Sequence, residues 1–285
     1  MSMNIIVVGG TGQLGQCLQE TIRSKKWDYN FVFLSSKDLN YTDKDQTAAI
    51  FKTYSPVFCI NCAAYTAVDL AEDEQEQAFA VNQYAVKNLA EQCRLYDTTL
   101  IHISTDFVFN GDYSIPLTEE LPVNPVNVYG LSKLKGEQEI QGILEKYYTI
   151  RTSWLYSEKA NNFVKTMLNL SKNRDQLNVI YDQVGTPTYA IDLAKVIIKI
   201  IELDQPAYGL YHYSNEGVAS WYDFAKAVFE FAEIDMKISP VSSAAFVTKA
   251  KRPHFSVLDK SKIKKALNIE IPYWRDSLNT CIQNL

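Results

Sequence analysis

Nowhere does this 285-residue sequence hold an uninterrupted apolar run of the roughly 18 residues that crossing a bilayer requires, so no membrane span is expected. A secretory leader pattern is lacking too. Met1-Ser2-Met3-Asn4 leads straight into the apolar Ile5–Val8, without a basic start or a long apolar stretch ending in small residues, and a cytoplasmic protein is expected. Histidine is scarce: three residues, scattered at 102, 212 and 254. Cysteines number five, an odd count that fits a reduced compartment better than a disulfide scaffold. Cys59-Ile60-Asn61-Cys62 does read as C-x-x-C, but in an apolar strand pattern residues three apart point to opposite faces. These are expected to be core cysteines, and no metal site is expected. Basic residues are not in excess, 28 against 33 acidic, for a net charge of −5. That balance argues against nucleic-acid and anionic-membrane partners but permits a small anionic ligand in a local positive pocket.

What the chain does have is alternation. Apolar runs at Ile5–Val8, Phe31–Leu34, Val57–Asn61, Leu100–Ser104 and Tyr148–Thr152 read as strands. Between them, helical patterns cover Gly12–Ser24, Asp43–Tyr54, Asp73–Leu95 and Val126–Lys146. Strands separated by helices imply parallel pairing with right-handed crossovers, so the expected fold is α/β, a Rossmann-type doubly wound sheet. Residues 153–285 are less regular, with helical patterns at Asn162–Lys172, Ile191–Leu203 and Trp221–Ala232 and strand-like pieces at Leu177–Ile180 and Leu210–Tyr213. The expected organisation is a nucleotide-binding domain over residues 1–152 and a smaller mixed α/β substrate lobe over 153–285, with the later helices packing back onto the first domain.

Gly9-Gly10-Thr11-Gly12-Gln13-Leu14-Gly15 follows the first strand and opens the first helix. Glycines there permit a tight turn and close approach of backbone to a pyrophosphate, whose charge suits a helix N-terminus. The acid usual at the end of the second strand is missing: Phe33-Leu34 runs into Ser35-Ser36-Lys37. Hydroxyls and a lysine can take a 2′-phosphate, so either NADPH or NADH is expected.

Tyr129-Gly130-Leu131-Ser132-Lys133 is a Y-x-x-x-K pair, which a helix places on one face. A lysine beside a phenol favours the phenolate and brings proton exchange toward neutral pH. With 18 tyrosines in the chain the pair alone is weak evidence; its position after the fourth strand gives it weight. Ser104-Thr105-Asp106 ends that strand, where open α/β sheets place ligands and a hydroxyl can hold a carbonyl oxygen.

With these features the chain resembles the extended short-chain dehydrogenases, and more closely the dTDP-4-dehydrorhamnose reductases. The resemblance covers nearly the whole chain, through Gly9–Gly15, Ala63–Asp69, Ser104–Gly111, Asn127–Gly130, Arg151-Thr152-Ser153-Trp154, Asn161-Asn162-Phe163, Asp182–Thr188 and Arg252-Pro253-His254. It implies reduction of the C4 ketone of dTDP-4-dehydro-β-L-rhamnose to dTDP-L-rhamnose, with hydride from a nicotinamide and a proton from Tyr129. Lys133 is then implied to tune Tyr129 and bind the nicotinamide ribose, with Thr105, beside Ser104, orienting the carbonyl. Cofactor contacts are implied at Gly9, Gly12, Gln13 and Leu14, at Asn40-Tyr41 near the adenine, and at Ala63-Ala64-Tyr65. Thr105, Asp106 and Trp154 are implied to contact the sugar. For the substrate pyrophosphate, Arg252 is the candidate, with Lys249 and Lys251 more simply read as solvating a loop.

The sequence also departs from the family. Some members form dimers around magnesium held by acids, one of them in the helix after the glycine loop. Here that stretch reads Gln16-Cys17-Leu18-Gln19-Glu20, and after Pro187-Thr188 comes Tyr189-Ala190-Ile191-Asp192. Neither magnesium dependence nor that pairing is supported, and a monomer or weak homodimer is expected. Two other readings stay open: a non-catalytic NADP-binding subunit like the regulatory subunit of methionine adenosyltransferase, and a reductase or epimerase of another nucleotide sugar. Retention of Ser104, Thr105, Tyr129 and Lys133 favours an enzyme.

Overall fold

The computed structural model describes residues 3–24, 26–203 and 205–285; Met1 and Ser2, ahead of the first strand, lie outside them. The first half runs β1 (Met3–Val8), α1 (Gln13–Ile22), β2 (Tyr29–Leu34), α2 (Lys44–Tyr54), β3 (Phe58–Asn61), α3 (Gln75–Phe79), α4 (Ala85–Leu95), β4 (Thr99–Thr105), α5 (Val128–Ile143) and β5 (Tyr147–Thr152). Then follow β6 (Leu155–Tyr156), α6 (Phe163–Leu170), β7 (Gln176–Ile180), β8 (Val184–Gly185), β9 (Thr188–Tyr189), α7 (Ala190–Ile201), β10 (Gly209–His212) and β11 (Ala219–Ser220). The chain closes with α8 (Trp221–Phe231), β12 (Lys237–Val241), α9 (Ser261–Leu267) and α10 (Trp274–Gln283).

Six strands form one parallel sheet in the order β10-β5-β4-β3-β1-β2. Because strand side chains alternate, Ile5 and Val7 enter one core while Ile6 and Val8 enter the other, and all four are buried. One face is covered by α1 and the apolar α7, which pack on each other; the opposite face takes Phe51 of α2, Leu89 of α4 and Ile140 of α5. Cys59 and Cys62 fall on these two opposite faces, as the period-2 argument requires.

The chain turns to one side of β1 to make β2 and then crosses to the other side for β3, so the switch point of the sheet lies beside β1. Ligands of doubly wound sheets bind at that crevice, beyond the strand C-termini. The last strand of the sheet and α7 both come from residues beyond 152. α9 also packs into the first core through Ile263 and Leu267, whereas α6, β7, α8 and α10 build a separate core around Phe224, Met167, Val179 and Trp274.

One expected element is broken. Asp73–Leu95 is not a single helix: α3 passes through a π turn at Ala80–Tyr84 before α4 begins. Neither a periodicity nor a helix-breaking residue marks that turn in the sequence. Gly136 of α5 packs directly on the Asn82 carbonyl there, so the bulge accommodates the tight helix contact.

Candidate active site

The glycine loop has the shape its composition suggests. Gly9 sits at φ +79°, and a Cβ on it would lie 2.8 Å from the Ala63 nitrogen, so only glycine lets the loop close on the end of β3. Gly9 and Gly10 both donate backbone hydrogen bonds to the Leu34 carbonyl, which ties the loop to β2. Gly12 caps α1 without a side-chain acceptor, and no acid stands in the first turn. A Cβ at Gly12 would meet only the Gly9 carbonyl, at 3.2 Å. Unblocked amides at a helix N-terminus beside an open glycine make a cradle that fits a pyrophosphate.

The other expected cofactor residues divide by what their side chains do. Leu14 is buried in the core, leaving its backbone to the cradle. Gln13 donates to the Leu155 carbonyl at 3.1 Å and accepts from Asn162 at 2.9 Å, so its side chain ties the loop to the second lobe. Asn40 is exposed and accepts from Thr42. The Tyr41 ring does not lie at the surface for an adenine. It is buried under α2 and α4, its hydroxyl donating to the Val81 carbonyl at 3.1 Å, because an aromatic ring there fills the core beside Phe51.

Ala63, Ala64 and Tyr65 are half-buried after β3, and Asn82, which sequence reasoning passed over, fixes them. Its amide accepts from Tyr65 N at 2.9 Å, donates to Tyr65 O at 3.0 Å and donates to Ser132 on α5 at 3.0 Å. After β2, the Ser35 amide and hydroxyl donate to Asp38 Oδ2 at 2.8 and 2.5 Å. An acid absent at the strand end therefore arrives three residues later, occupying the Ser35 donors expected for a phosphate.

Thr105 and Tyr129 come together at the end of β4, the Thr105 hydroxyl donating to Asp106 Oδ1 at 3.1 Å while it also acts on the phenol. Burial pushes the Tyr129 phenol up to about 12, opposed by Thr105 and reinforced by Asp106. The ring is set by its helix start: Asn127 accepts from Gly130 N at 2.7 Å, Gly130 presses on the Phe107 carbonyl, and the Phe107 ring meets Tyr129 edge-on at 5.7 Å. Asp106 is buried with Oδ2 lacking a hydrogen-bond partner, and burial raises its carboxyl to about 6.

Two expectations need correction. Ser104 points to the other side of β4, and its hydroxyl donates to Glu137 Oε1 at 2.5 Å. Glu137 is held by Arg151 through Nε at 3.0 Å and Nη2 at 2.7 Å, a buried ion pair that makes Ser104 part of the scaffold. Neighbouring strand residues face opposite ways, so only one hydroxyl of Ser104-Thr105 can meet Tyr129. Lys133 is one helical turn from Tyr129, yet its ammonium donates to the Ile103 carbonyl at 2.6 Å and faces His102 at 3.4 Å. Burial lowers Lys133 to about 8.

Phe107 and Trp154 open onto a cleft of 790 Å³ between the two halves, lined also by Phe163, Met167, Trp221 and Arg252. Trp154 stands at φ +46° and its indole stacks on Trp221 with ring centres 3.6 Å apart and planes 9° apart. The Asp182–Thr188 motif exists to shape this wall: a Cβ on Gly185 would fall 2.9 Å from the Trp154 ring, and Thr188 N donates to the Trp154 carbonyl. Trp221 was readable only as a helix residue behind the Ser220–Asp223 capping box; its meeting with Trp154 is tertiary. Arg252 reaches the cleft while paired through both terminal nitrogens with Asp69, at 3.0 and 2.6 Å. Lys249 pairs with Asp73 at the surface, and the Lys251 carbonyl accepts from Asn127.

The acids nearest the family's magnesium positions have internal partners. Glu20 pairs with Lys159 at 2.9 Å, and Asp192 accepts from Asn215, Ser277 and Lys195. Among the described residues no helix is long and apolar enough to cross a membrane.

The family described as RmlD substrate binding domain matches residues 3–285. The chain is 39% identical to a dTDP-4-dehydrorhamnose reductase of Aggregatibacter actinomycetemcomitans, over 96% of each chain. It is 37% identical to the spore coat polysaccharide biosynthesis protein SpsK of Bacillus subtilis, covering 98% of this chain and 96% of that one. Among solved structures, the dTDP-4-dehydrorhamnose reductase of Bacillus anthracis in complex with NADP superposes with a TM-score of 0.95 at 37% identity, over 100% of both chains. A Thermus thermophilus UDP-glucose 4-epimerase shares the fold at 18% identity, with a TM-score of 0.83 over 99% and 98% of the two chains. With a match over all but the first two residues, a Rossmann sheet and a cleft walled by its specific motifs, the chain belongs to the dTDP-4-dehydrorhamnose reductase family.

Proposed function

We propose that this protein reduces the C4 ketone of dTDP-4-dehydro-β-L-rhamnose to give dTDP-L-rhamnose, using NADPH or NADH. The observation that carries the reading is the meeting of Thr105 and Tyr129 at the C-terminal end of β4, next to Phe107, which lines the cleft. Gly9, Gly12 and the first amides of α1 hold the dinucleotide phosphates, and Ala63–Tyr65 and Lys133 lie along its nicotinamide half. When bound, the nicotinamide supplies the hydride. Thr105 donates to the ketone oxygen and fixes its direction. Tyr129 gives that oxygen its proton; a phenol raised to about 12 is fully protonated at neutral pH and is still a far stronger acid than an alcohol. Asp106 and Trp154 orient the sugar, and Arg252 supports the pyrophosphate end of the cleft. The protein works in the cytoplasm as a monomer or weak homodimer.

The test is oxidation of NADPH or NADH on addition of dTDP-4-dehydro-L-rhamnose, with Tyr129→Phe alongside. Stoichiometric oxidation is expected, falling by roughly 10²-fold or more in the variant with coenzyme binding retained. Full activity in Tyr129→Phe would remove it as proton donor. No oxidation with any dTDP-keto-sugar would point to the regulatory-subunit role.

A further inference from the structure

His102 is fully buried in β4 between Asn61 and Lys133, and the reduction as described leaves it unused. Its ring state follows from its neighbours. Asn61 Oδ1 accepts from Ala63 N at 3.1 Å, which fixes the amide so that Nδ2 faces His102 Nδ1, also at 3.1 Å. An amide nitrogen only donates, so Nδ1 must be the bare nitrogen of the ring. Burial and the charge of Lys133 both hold the imidazole neutral, far below its usual range. A neutral ring with bare Nδ1 carries its proton on Nε2, and Nε2 lies 3.4 Å from Lys133 Nζ. An N–H therefore points at an ammonium, two donors facing each other, which is relieved when the lysine becomes a neutral amine. The other groups around Lys133 are the Ile103 carbonyl, the Cys62 thiol held neutral by burial, and Glu137, whose carboxylate is taken up by Arg151 and Ser104.

We propose that His102, locked by Asn61 in its Nε2–H form, is a positioning residue that disfavours the charged form of Lys133. This effect on Lys133 does not rest on the functional reading above. The conformity of His102 to this role separates it from His212, whose Nδ1 lies 2.9 Å from the Leu117 carbonyl and which therefore carries the opposite tautomer.

Two measurements need no substrate. Long-range ¹H–¹⁵N spectra of the full chain should find a neutral histidine protonated at Nε2 across neutral pH, distinct from the Nδ1–H form of His212, and that signal should disappear in His102→Phe. A ¹³C titration of the lysine side chains should move Lys133 upward by about one unit in His102→Phe, since the opposing donor is gone. Asn61→Leu, which frees the ring to turn its N–H, serves as the second variant should the first not fold, with the same upward shift expected. An Nδ1–H form for His102, or a Lys133 titration unchanged in both variants, overturns the proposal. Absence of reductase activity with an upward Lys133 shift would sink only the functional reading.

Discussion

Ser104 and Thr105 are adjacent in β4, yet one hydroxyl ends on Glu137 at 2.5 Å and the other beside the Tyr129 phenol. Removing each should separate folding from catalysis. Thr105→Val should cut kcat/KM roughly 10²-fold with little change in Tm, the effect of losing one donor at the reacting oxygen. Ser104→Ala should leave kcat/KM within a few-fold while lowering stability by about 1–3 kcal/mol, since Glu137 loses a buried donor. Equal catalytic loss in both variants would contradict the division of roles.

Gly12 tests the cradle without disturbing the loop. Its backbone, at φ −72°, suits any residue, and a Cβ would touch only the Gly9 carbonyl. Gly12→Val should keep stability within about 1 kcal/mol and raise coenzyme KM at least ~10-fold by filling the phosphate position. Retained coenzyme affinity would place the dinucleotide elsewhere.

Arg252 is clamped on Asp69 by both terminal nitrogens at the edge of the cleft. Arg252→Ala should raise substrate KM by about 10-fold or more and coenzyme KM far less, as a lost charge-assisted contact is worth roughly 1.5–3 kcal/mol. An unchanged substrate KM removes it from the pyrophosphate site.

Asp38 occupies the donors of Ser35 at the end of β2. Asp38→Ala frees them and removes a negative charge, so the ratio of kcat/KM for NADPH over NADH should rise by about 2–5-fold, the scale of one exposed charge interaction. Kinetics with both coenzymes decide it; a constant ratio would assign selectivity to other residues.

Asp106 makes stability pH-dependent. Its folded carboxyl is raised from 3.8 to about 6, so its stabilising contribution is present below about 4 and lost as pH rises through about 6. Asp106→Asn should therefore gain stability over the wild type at pH above 6, by up to about 3 kcal/mol, and show no gain near pH 4. Urea denaturation at the two pH values measures this; a gain that does not vary with pH would exclude the carboxyl as its source.

Much of the frame is local information. Runs of β-branched residues, glycines at fixed offsets and helical periodicity specify β1 to β5, the glycine turn and the Tyr129-Lys133 face, because strand alternation, backbone freedom and helix pitch act over a few residues. Missed were α9, α10 and β12, short or weakly patterned segments whose burial comes from distant packing, α9 on the sheet core through Ile263 and Leu267 and the other two in the core around Phe224.

Other features are decided only when distant segments meet. The π turn meets Gly136 of α5 at the Asn82 carbonyl, and the Tyr41 ring is buried in the core shared by α2 and α4. The sequence by itself determined which residue types stand at the end of each strand, since that depends on neighbours in the chain. Which of Ser104 and Thr105 reaches Tyr129, and that Lys133 answers to His102 rather than to the phenol, was decided by the tertiary structure, because hydrogen-bond direction and burial are set by residues up to 33 positions apart.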